Sequence, residues 1–219
     1  MPTIADVELG AKGVEAHDRR LPLTWEGLHY QVAIKNGGTK VLLDDISGVA
    51  NASEMFYVMG PSGSGKSTFL DALADRLSGS MRGRVLVDGK QLDPSTFKKV
   101  VKYVTQEDIL TAVLTVEETL VYAASFYTTD TDVQKRRAEE AMVTLGLVKQ
   151  RTTPVGNALL RGLSGGQRRR LSVGNELVAA PGILLLDELT SGLDSTAASS
   201  IMTSMQKVGP RRWVADDRC

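Results

Sequence analysis

The stretch 60–68 reads Gly-Pro-Ser-Gly-Ser-Gly-Lys-Ser-Thr, and it constrains the fold of this chain more than any other feature. A short apolar run, 54–59, precedes it, and a run with helical spacing follows it as far as Leu77. Glycines let backbone N–H groups turn inward around phosphate oxygens, and the start of a helix adds a positive dipole end. The sequence therefore predicts a strand, a phosphate-binding loop and a helix in this order.

The side chains of this loop add specific chemistry. We expect Lys66 to reach the β- and γ-phosphates of a nucleotide, and the hydroxyl of Ser67 to ligate Mg²⁺. A flexible Gly/Ser loop is the alternative, but the strand and helix on either side favour phosphate binding. The residues predicted to contact the nucleotide are Gly60, Pro61, Ser62, Gly63, Ser64, Gly65, Lys66, Ser67 and Thr68.

A second chemical signal stands at the end of the apolar run 183–186, where Asp187 and Glu188 follow directly. Such a run is typical of a parallel strand buried on both faces, and its carboxyl end faces the ligand crevice of an α/β sheet. We predict that Asp187 holds Mg²⁺, directly or through water, and that Glu188 orients or deprotonates the attacking water. Downstream of a phosphate-binding loop, this acidic pair indicates binding of a nucleoside triphosphate with Mg²⁺.

Composition limits the classes of protein that remain. A chain of 219 residues predicts one domain or at most two small ones. Its 26 basic and 26 acidic residues cancel, so no nucleic-acid partner is expected. The single cysteine, Cys219, cannot form an internal disulfide and favours an intracellular setting. No apolar run is long enough to span a bilayer, and residues 1–22 read as a flexible lead-in rather than a secretion signal.

The remaining pattern predicts an α/β fold. A β-rich start, a strand–loop–helix unit, a helical region at about 112–180 and a buried strand follow one another along the chain. Two helices are expected to begin with capping boxes, Thr115 with Glu118 and Ser164 with Gln167. We interpret the basic runs 135–137 and 168–170 as solvated helix faces.

The pentapeptide Leu163-Ser164-Gly165-Gly166-Gln167 opens one of these helices and makes a second edge suited to anions. One active site needs only one phosphate-binding loop. The second edge therefore predicts a composite site, in which it covers the γ-phosphate bound to another copy or to a partner. A capped helix start with glycine packing is the alternative.

Together these motifs resemble those of the nucleotide-binding domains of ABC transporters. The stretch 163–167 resembles the ABC signature, Gln106 within 103–108 resembles the glutamine of the Q-loop, and 191–194 resembles the D-loop. The resemblance covers about 23–209. Finer features in 167–176 and 190–197 are similar to the G subfamily, of the white and pleiotropic-drug-resistance type.

This resemblance implies a P-loop NTPase core of the ABC ATPase type, with an N-terminal antiparallel β subdomain, a helical subdomain, and ATP and Mg²⁺ as cofactors. It implies that Gln106 contacts Mg²⁺ and the attacking water, and that Asp194 lies at a dimer interface. Tyr30 is the nearest candidate for stacking on adenine, although an ordinary strand aromatic is an equal alternative. The implied catalytic residues are Glu188, Gln106 and Lys66, the implied metal residues are Ser67, Gln106 and Asp187, and the implied trans edge is Ser164, Gly165, Gly166 and Gln167.

Three departures from the family pattern concern turnover. Leu189 stands where the family usually has proline after the catalytic glutamate, and the family's switch histidine has no counterpart, because the only histidines are His17 and His29. Residues 210–219 do not read as the expected apolar strand, so we expect an atypical tail and a C-terminally truncated domain.

The expected function is ATP binding and hydrolysis that powers transport through Mg-ATP-driven dimerisation. The expected partners are a second nucleotide-binding domain, in a homo- or heterodimer, and an ABC transmembrane domain that holds the chain at the cytoplasmic face. A soluble ABC-type ATPase and a truncated nucleotide-binding fragment without turnover remain as alternatives. A chain that natively ends here would be expected in the cytoplasm.

Overall fold

The computed structural model describes residues 21–35, 37–52, 54–207 and 212–216, and of 206, 207 and 212–216 it describes the backbone alone. Residues 1–20 of the predicted lead-in lie outside this part. So do Asn36, which belongs to a predicted turn, and residues 210, 211 and 217–219 of the predicted tail.

An antiparallel sheet of three strands forms the β-rich start. Its central strand, β1 (Leu23–Ala33), pairs on one side with β2 (Thr39–Ala50) and on the other with β4 (Arg82–Val87). Its buried residues Leu23, Trp25, Leu28 and Tyr30 recur mostly at the two-residue period of a strand with one face in a core. The prediction of an antiparallel β unit is confirmed.

A parallel sheet of four strands carries the motifs, in the order β3-β7-β6-β5. The strands are β3 (Met55–Val58), β5 (Val101–Val104), β6 (Ile183–Leu186) and β7 (Arg212–Asp216). The phosphate-binding loop follows β3, Gln106 follows β5, and Asp187 follows β6. Parallel strands end at the same edge of a sheet, so this topology gathers the three motifs.

Six α-helices surround the sheets in the described part of the chain. Capping boxes at Thr115 and Ser164 open α3 and α5, as the sequence predicts. None of the helices in the described ranges is long and apolar enough to cross a membrane. The helices are α1 (Lys66–Leu73), α2 (Pro94–Val100), α3 (Val116–Ser125), α4 (Thr131–Thr144), α5 (Gly165–Leu177) and α6 (Ser195–Lys207).

Strand β6 joins two hydrophobic cores. Leu184 and Leu186 pack into a core formed mainly by α3, α4 and α5, whereas Ile183 and Leu185 pack into the core between the antiparallel sheet and α1. All four side chains are almost fully buried. Because both faces of β6 are fixed, the carboxylates at its end are held on a rigid support.

Several predictions of local structure were wrong. The first helix ends at Leu73 rather than Leu77, because Ala74 leaves the helical conformation. Helix α2 was not predicted, although Asp93 and Pro94 are a standard start signal. The tail contains β7, whose backbone completes the sheet between β3 and β6.

The solvated-face interpretation of the basic runs was also wrong in part. The side chain of Arg169 is buried, with 3% of its surface exposed. Arg137 and Arg170 are half-buried, and each donates a hydrogen bond to a backbone carbonyl, of Val178 and Leu145 respectively. Tertiary packing, rather than charge, decides where these side chains lie.

Candidate functional site

The backbone of the phosphate-binding loop holds the side chain of Lys66 in place. The Nζ of Lys66 donates to the carbonyls of Gly60, at 3.0 Å, and Pro61, at 3.1 Å. Lys66 is 6% exposed, whereas residues 60–64 are exposed. A buried ammonium group therefore lies directly beneath a loop that faces solvent.

The conformation of the loop depends on its glycines. Gly63 and Gly65 have φ values of +78° and +96°, in the region that side chains disfavour. A Cβ at Gly60 would lie 2.8 Å from the hydroxyl of Ser64. Helix α1 begins after Gly65, which provides no side-chain cap, so the positive end of the helix dipole faces the loop and favours an anion there.

Asp187 connects the end of β6 with the loop. Its Oδ1 accepts a hydrogen bond from the hydroxyl of Ser67 at 3.1 Å, and its Oδ2 accepts one from the hydroxyl of Tyr103 at 3.0 Å. Ser67 and Asp187 thus bring two hard oxygen groups together, and Mg²⁺ prefers such ligands. This donor set fits a magnesium ion shared with phosphate oxygens.

Tyr103 is a functional candidate that the sequence did not reveal. Burial raises the pKa of its hydroxyl, and the neighbouring carboxylates of Asp187 and Asp71 raise it further. The hydroxyl therefore stays protonated and donates to Asp187 across the neutral range. The guanidinium of Arg76 lies 4.4 Å from the centre of the Tyr103 ring.

Glu188 and Gln106 meet across the ends of β6 and β5. The Nε2 of Gln106 donates to Oε2 of Glu188 at 2.6 Å. Glu188 is 4% exposed, and its φ of +48° is unusual for a residue with a side chain. Both residues that were predicted to act on the attacking water are in direct contact.

The start of α5 is built as a capping box. The Ser164 hydroxyl accepts from the Gln167 N–H, and Oε1 of Gln167 accepts from the Ser164 N–H. A Cβ at Gly166 would lie 3.1 Å from Cβ of Ala197 on α6. These contacts give Ser164, Gly166 and Gln167 a structural role at the start of α5. Ser164 and Gly165 are exposed to solvent.

Two other candidates have structural roles. Asp194 caps α6, because its Oδ1 accepts from the N–H groups of Thr196 and Ala197. Tyr30 is 8% exposed, and its hydroxyl donates to the carbonyl of Ser78. The ring of Tyr30 is an ordinary strand aromatic in the core and is not available to stack on adenine.

The family model described as "ABC transporter" matches residues 43–191. The curated protein "ABC transporter G family member 5" of Oryza sativa subsp. japonica is 40% identical over 217 residues, which cover 90% of this chain and 28% of the relative. "ABC transporter G family member STR" of Medicago truncatula is 47% identical over 171 residues, which cover 76% of this chain and 21% of the relative. The chain thus spans about a quarter of the length of these relatives.

Solved structures share the fold. CbiO1 from Clostridium perfringens, described as part of an ABC transporter complex, superposes with a TM-score of 0.77 at 26% identity and covers 90% of this chain and 78% of its own. A dimeric ATP-binding cassette in a post-hydrolysis state, bound to ADP and Pi, gives a TM-score of 0.72 at 23% identity. The match covers 90% of this chain and 88% of the other chain. This second likeness concerns the fold alone.

Three observations point to the same family: the order of the motifs, their convergence at one sheet edge, and the similarities just described. The family model spans both the phosphate-binding loop and the acidic pair after β6. The chain belongs to the ABC transporter family, as a nucleotide-binding domain of the ABC ATPase type that is homologous to the G-type members.

Proposed function

We propose that this domain binds Mg-ATP in front of residues 60–68 and hydrolyses it to drive transport by a G-type ABC transporter. The convergence of Ser67, Gln106, Asp187 and Glu188 carries the proposal. These side chains come from three different segments, and the hydrogen bonds Ser67–Asp187 and Gln106–Glu188 join them in two pairs.

Binding of the triphosphate is the role of the loop and α1. Lys66 supplies a positive charge to the β- and γ-phosphates, and the N-terminal end of α1 adds its positive dipole. Ser67 and Asp187, whose side-chain oxygens lie 3.1 Å apart, would hold Mg²⁺. When bound, Mg²⁺ neutralises phosphate charge and aligns the triphosphate for in-line attack.

Activation of water is the role of Glu188. Its carboxylate accepts the proton of the attacking water, and the hydrogen bond from Gln106 holds that carboxylate in place. Burial of Glu188 reduces competition from bulk solvent. Gln106 lies on an exposed segment after β5, so it can also transmit changes at the site to a transmembrane domain.

The composite site is proposed to form between two nucleotide-binding domains, either two copies of this chain or this chain and a homologue. Ser164 and Gly166 would contact the γ-phosphate bound to the partner, and Asp194 would lie at the interface. The dimeric state of the ATP-binding cassette with this fold supports the arrangement. The transmembrane domain would hold the assembly at the cytoplasmic face of a membrane.

Nucleotide binding without turnover is the second candidate function, and one observation favours it. Leu189, where the family usually has proline, does not restrict the backbone after Glu188 as proline would.

Release of phosphate from ATP tests these candidates, with Mg²⁺ present and the chain as purified. We expect turnover by the wild type. Glu188→Gln should lower kcat by about 10²–10⁴-fold while ATP still binds, because it removes the proton acceptor alone. Lys66→Ala should abolish ATP binding. Glu140→Gln, on the exposed face of α4, is the matched control and should hydrolyse ATP like the wild type.

The outcomes separate the candidates. ATP binding without hydrolysis by the wild type would establish the second candidate and refute turnover. Equal hydrolysis by wild type and Glu188→Gln would refute the role of Glu188. Unchanged ATP binding by Lys66→Ala would refute the loop as the nucleotide site.

A further inference from the structure

Arg169 is a buried guanidinium that contacts the backbone of the segments carrying Gln106 and Glu188, and none of the roles above uses it. It lies on α5, five residues after the exposed Ser164. Its side chain is 4% exposed. A cation at this depth is costly unless its N–H groups are hydrogen-bonded, so its contacts define why it is there.

One set of contacts holds the segment after β6. The Nη2 of Arg169 donates to the carbonyl of Asp187, at 2.6 Å, and to that of Glu188, at 3.2 Å. Its Nε donates to the carbonyl of Leu189 at 3.3 Å. Three consecutive carbonyls are thus fixed from one side chain, around the residue whose φ is +48°.

The other set of contacts holds the segment after β5. The Nη1 of Arg169 donates to the carbonyls of Thr105, at 2.5 Å, and Gln106, at 3.2 Å. It also pairs with Oδ1 of Asp108 at 3.2 Å. The guanidinium group of Arg169 therefore forms hydrogen bonds with both segments that carry the Gln106–Glu188 pair.

The hydrogen bonds from Arg169 matter because the backbone of Glu188 is in the left-handed region. A residue with a side chain reaches such a φ only when its surroundings impose it. Leu189 is fully buried, but its backbone has no ring to limit the preceding residue, as a proline would have. Among the residues that the structure describes, Arg169 is the side chain that donates to the carbonyls of Asp187, Glu188 and Leu189.

We propose that Arg169 is a positioning residue that fixes the Gln106–Glu188 pair and ties it to the helix that begins at residues 164–167. Arg169 does not touch the reacting atoms; it sets the backbone from which both acting side chains project. The inference deepens the proposed function and rests on it, since it assigns the geometry of the same site to a side chain on α5.

Arg169→Met keeps the aliphatic stem and removes every donor, and Arg169→Lys keeps the charge but cannot span both segments with one ammonium group. Arg137→Met is the matched control. Arg137 is half-buried, where Arg169 is buried, and it too donates to a backbone carbonyl, that of Val178, which follows the last residue of α5 at the end of the helix remote from residues 164–167. For Arg169→Met we expect kcat to fall about 100-fold, with the KM for ATP little changed. Arg169→Lys should retain part of the rate, and Arg137→Met all of it.

Hydrogen exchange of the chain without nucleotide gives a readout that does not depend on activity. Arg169→Met should speed amide exchange in both 103–108 and 187–191, whereas Arg137→Met should leave both segments unchanged. If Arg169→Met fails to fold by circular dichroism, Arg169→Lys carries the same comparison with smaller changes expected.

Two results would overturn the inference. One is wild-type exchange in both segments of a folded Arg169 variant, and the other is a fall in kcat no greater than that of Arg137→Met. Absence of hydrolysis by the wild-type chain would instead refute turnover, and the exchange measurement would still decide whether Arg169 holds the two segments.

Discussion

Replacing Tyr103 with phenylalanine removes one hydroxyl group and keeps the ring, whose centre lies 4.4 Å from the guanidinium of Arg76. The hydroxyl donates to Oδ2 of Asp187 at 3.0 Å, and Asp187 is 7% exposed. Its loss leaves a buried carboxylate with the hydroxyl of Ser67 as its remaining side-chain donor. The carboxylate is therefore both less stable and less well oriented.

The size of the effect follows from the type of bond. A hydrogen bond to a charged group contributes about 1.5–3 kcal/mol, so we expect the free energy of unfolding to fall by that amount. For a chain of this size, each kcal/mol lowers Tm by about 2–4 °C. Groups that orient a metal ligand affect metal affinity by about 10–100-fold, so the apparent Mg²⁺ affinity should fall by at least the lower figure.

Urea unfolding at pH 7 and pH 9 measures the stability of both proteins, and titration of ATP hydrolysis with Mg²⁺ measures metal affinity. The raised pKa of Tyr103 keeps its hydroxyl protonated at both pH values, so the difference in free energy should be the same. Tyr122→Phe is the matched control, because the Tyr122 side chain is 62% exposed.

Equal stability and equal Mg²⁺ dependence of Tyr103→Phe and wild type would refute the role of this hydrogen bond. A stability difference that disappears between pH 7 and pH 9 would refute the protonation state on which it depends.

Two further predictions concern stability. Burial raises the pKa of Glu176, so above the ordinary pKa of glutamate the folded chain binds more protons than the unfolded chain, and its stability should fall as the pH rises. In urea unfolding, Glu176→Gln should therefore gain stability relative to wild type from pH 5 to pH 7. The opposite trend would contradict this assignment. Gly83 has a φ of +90°, and a Cβ there would lie 2.5 Å from the carbonyl oxygen of Glu26, whereas at Gly89, with a φ of +69°, it would meet nothing within 4 Å. Gly89→Ala should therefore cost about 1–2 kcal/mol of backbone strain and Gly83→Ala clearly more, and equal costs by denaturant unfolding would refute the steric part.

The sequence predicts much of the site because its motifs are local. Residues 60–68 specify their own loop through glycines at 63 and 65, whose positive φ values side chains disfavour. The run 183–186 is apolar on both faces and forms the buried strand β6. Ser164 and Gln167 cap a helix with no help from the rest of the chain.

Contacts set by strand register and helix packing could not be predicted in this way. The bond from Tyr103 to Asp187 depends on the pairing of β5 with β6, where Tyr103 lies opposite Leu185. Arg169 stands in a run of three arginines that reads as solvated. Its spacing from the buried Val173 and Leu177 by four and eight residues is the one signal that places it on the apolar face of α5.

Strand β7 was missed for a related reason. The segment Arg212–Asp216 has charged residues at both ends and resembles no buried strand. Its backbone nevertheless pairs with β3 on one side and β6 on the other. The apolar run of β7, 213–215, is only three residues long, and pairing with a neighbour on each side defines the strand.

The central claim is that Mg-ATP binds between residues 60–68 of one nucleotide-binding domain and residues 164–167 of another. A crystal structure of Glu188→Gln with ATP and Mg²⁺ tests it most directly, because this variant should retain the nucleotide. We predict two chains that enclose the nucleotide, with Lys66 on the phosphates, Ser67 and Asp187 at the metal, and Ser164 of the second chain at the γ-phosphate. ATP bound away from residues 60–68, or bound there by one chain alone with residues 164–167 of the other remote from it, would contradict the account.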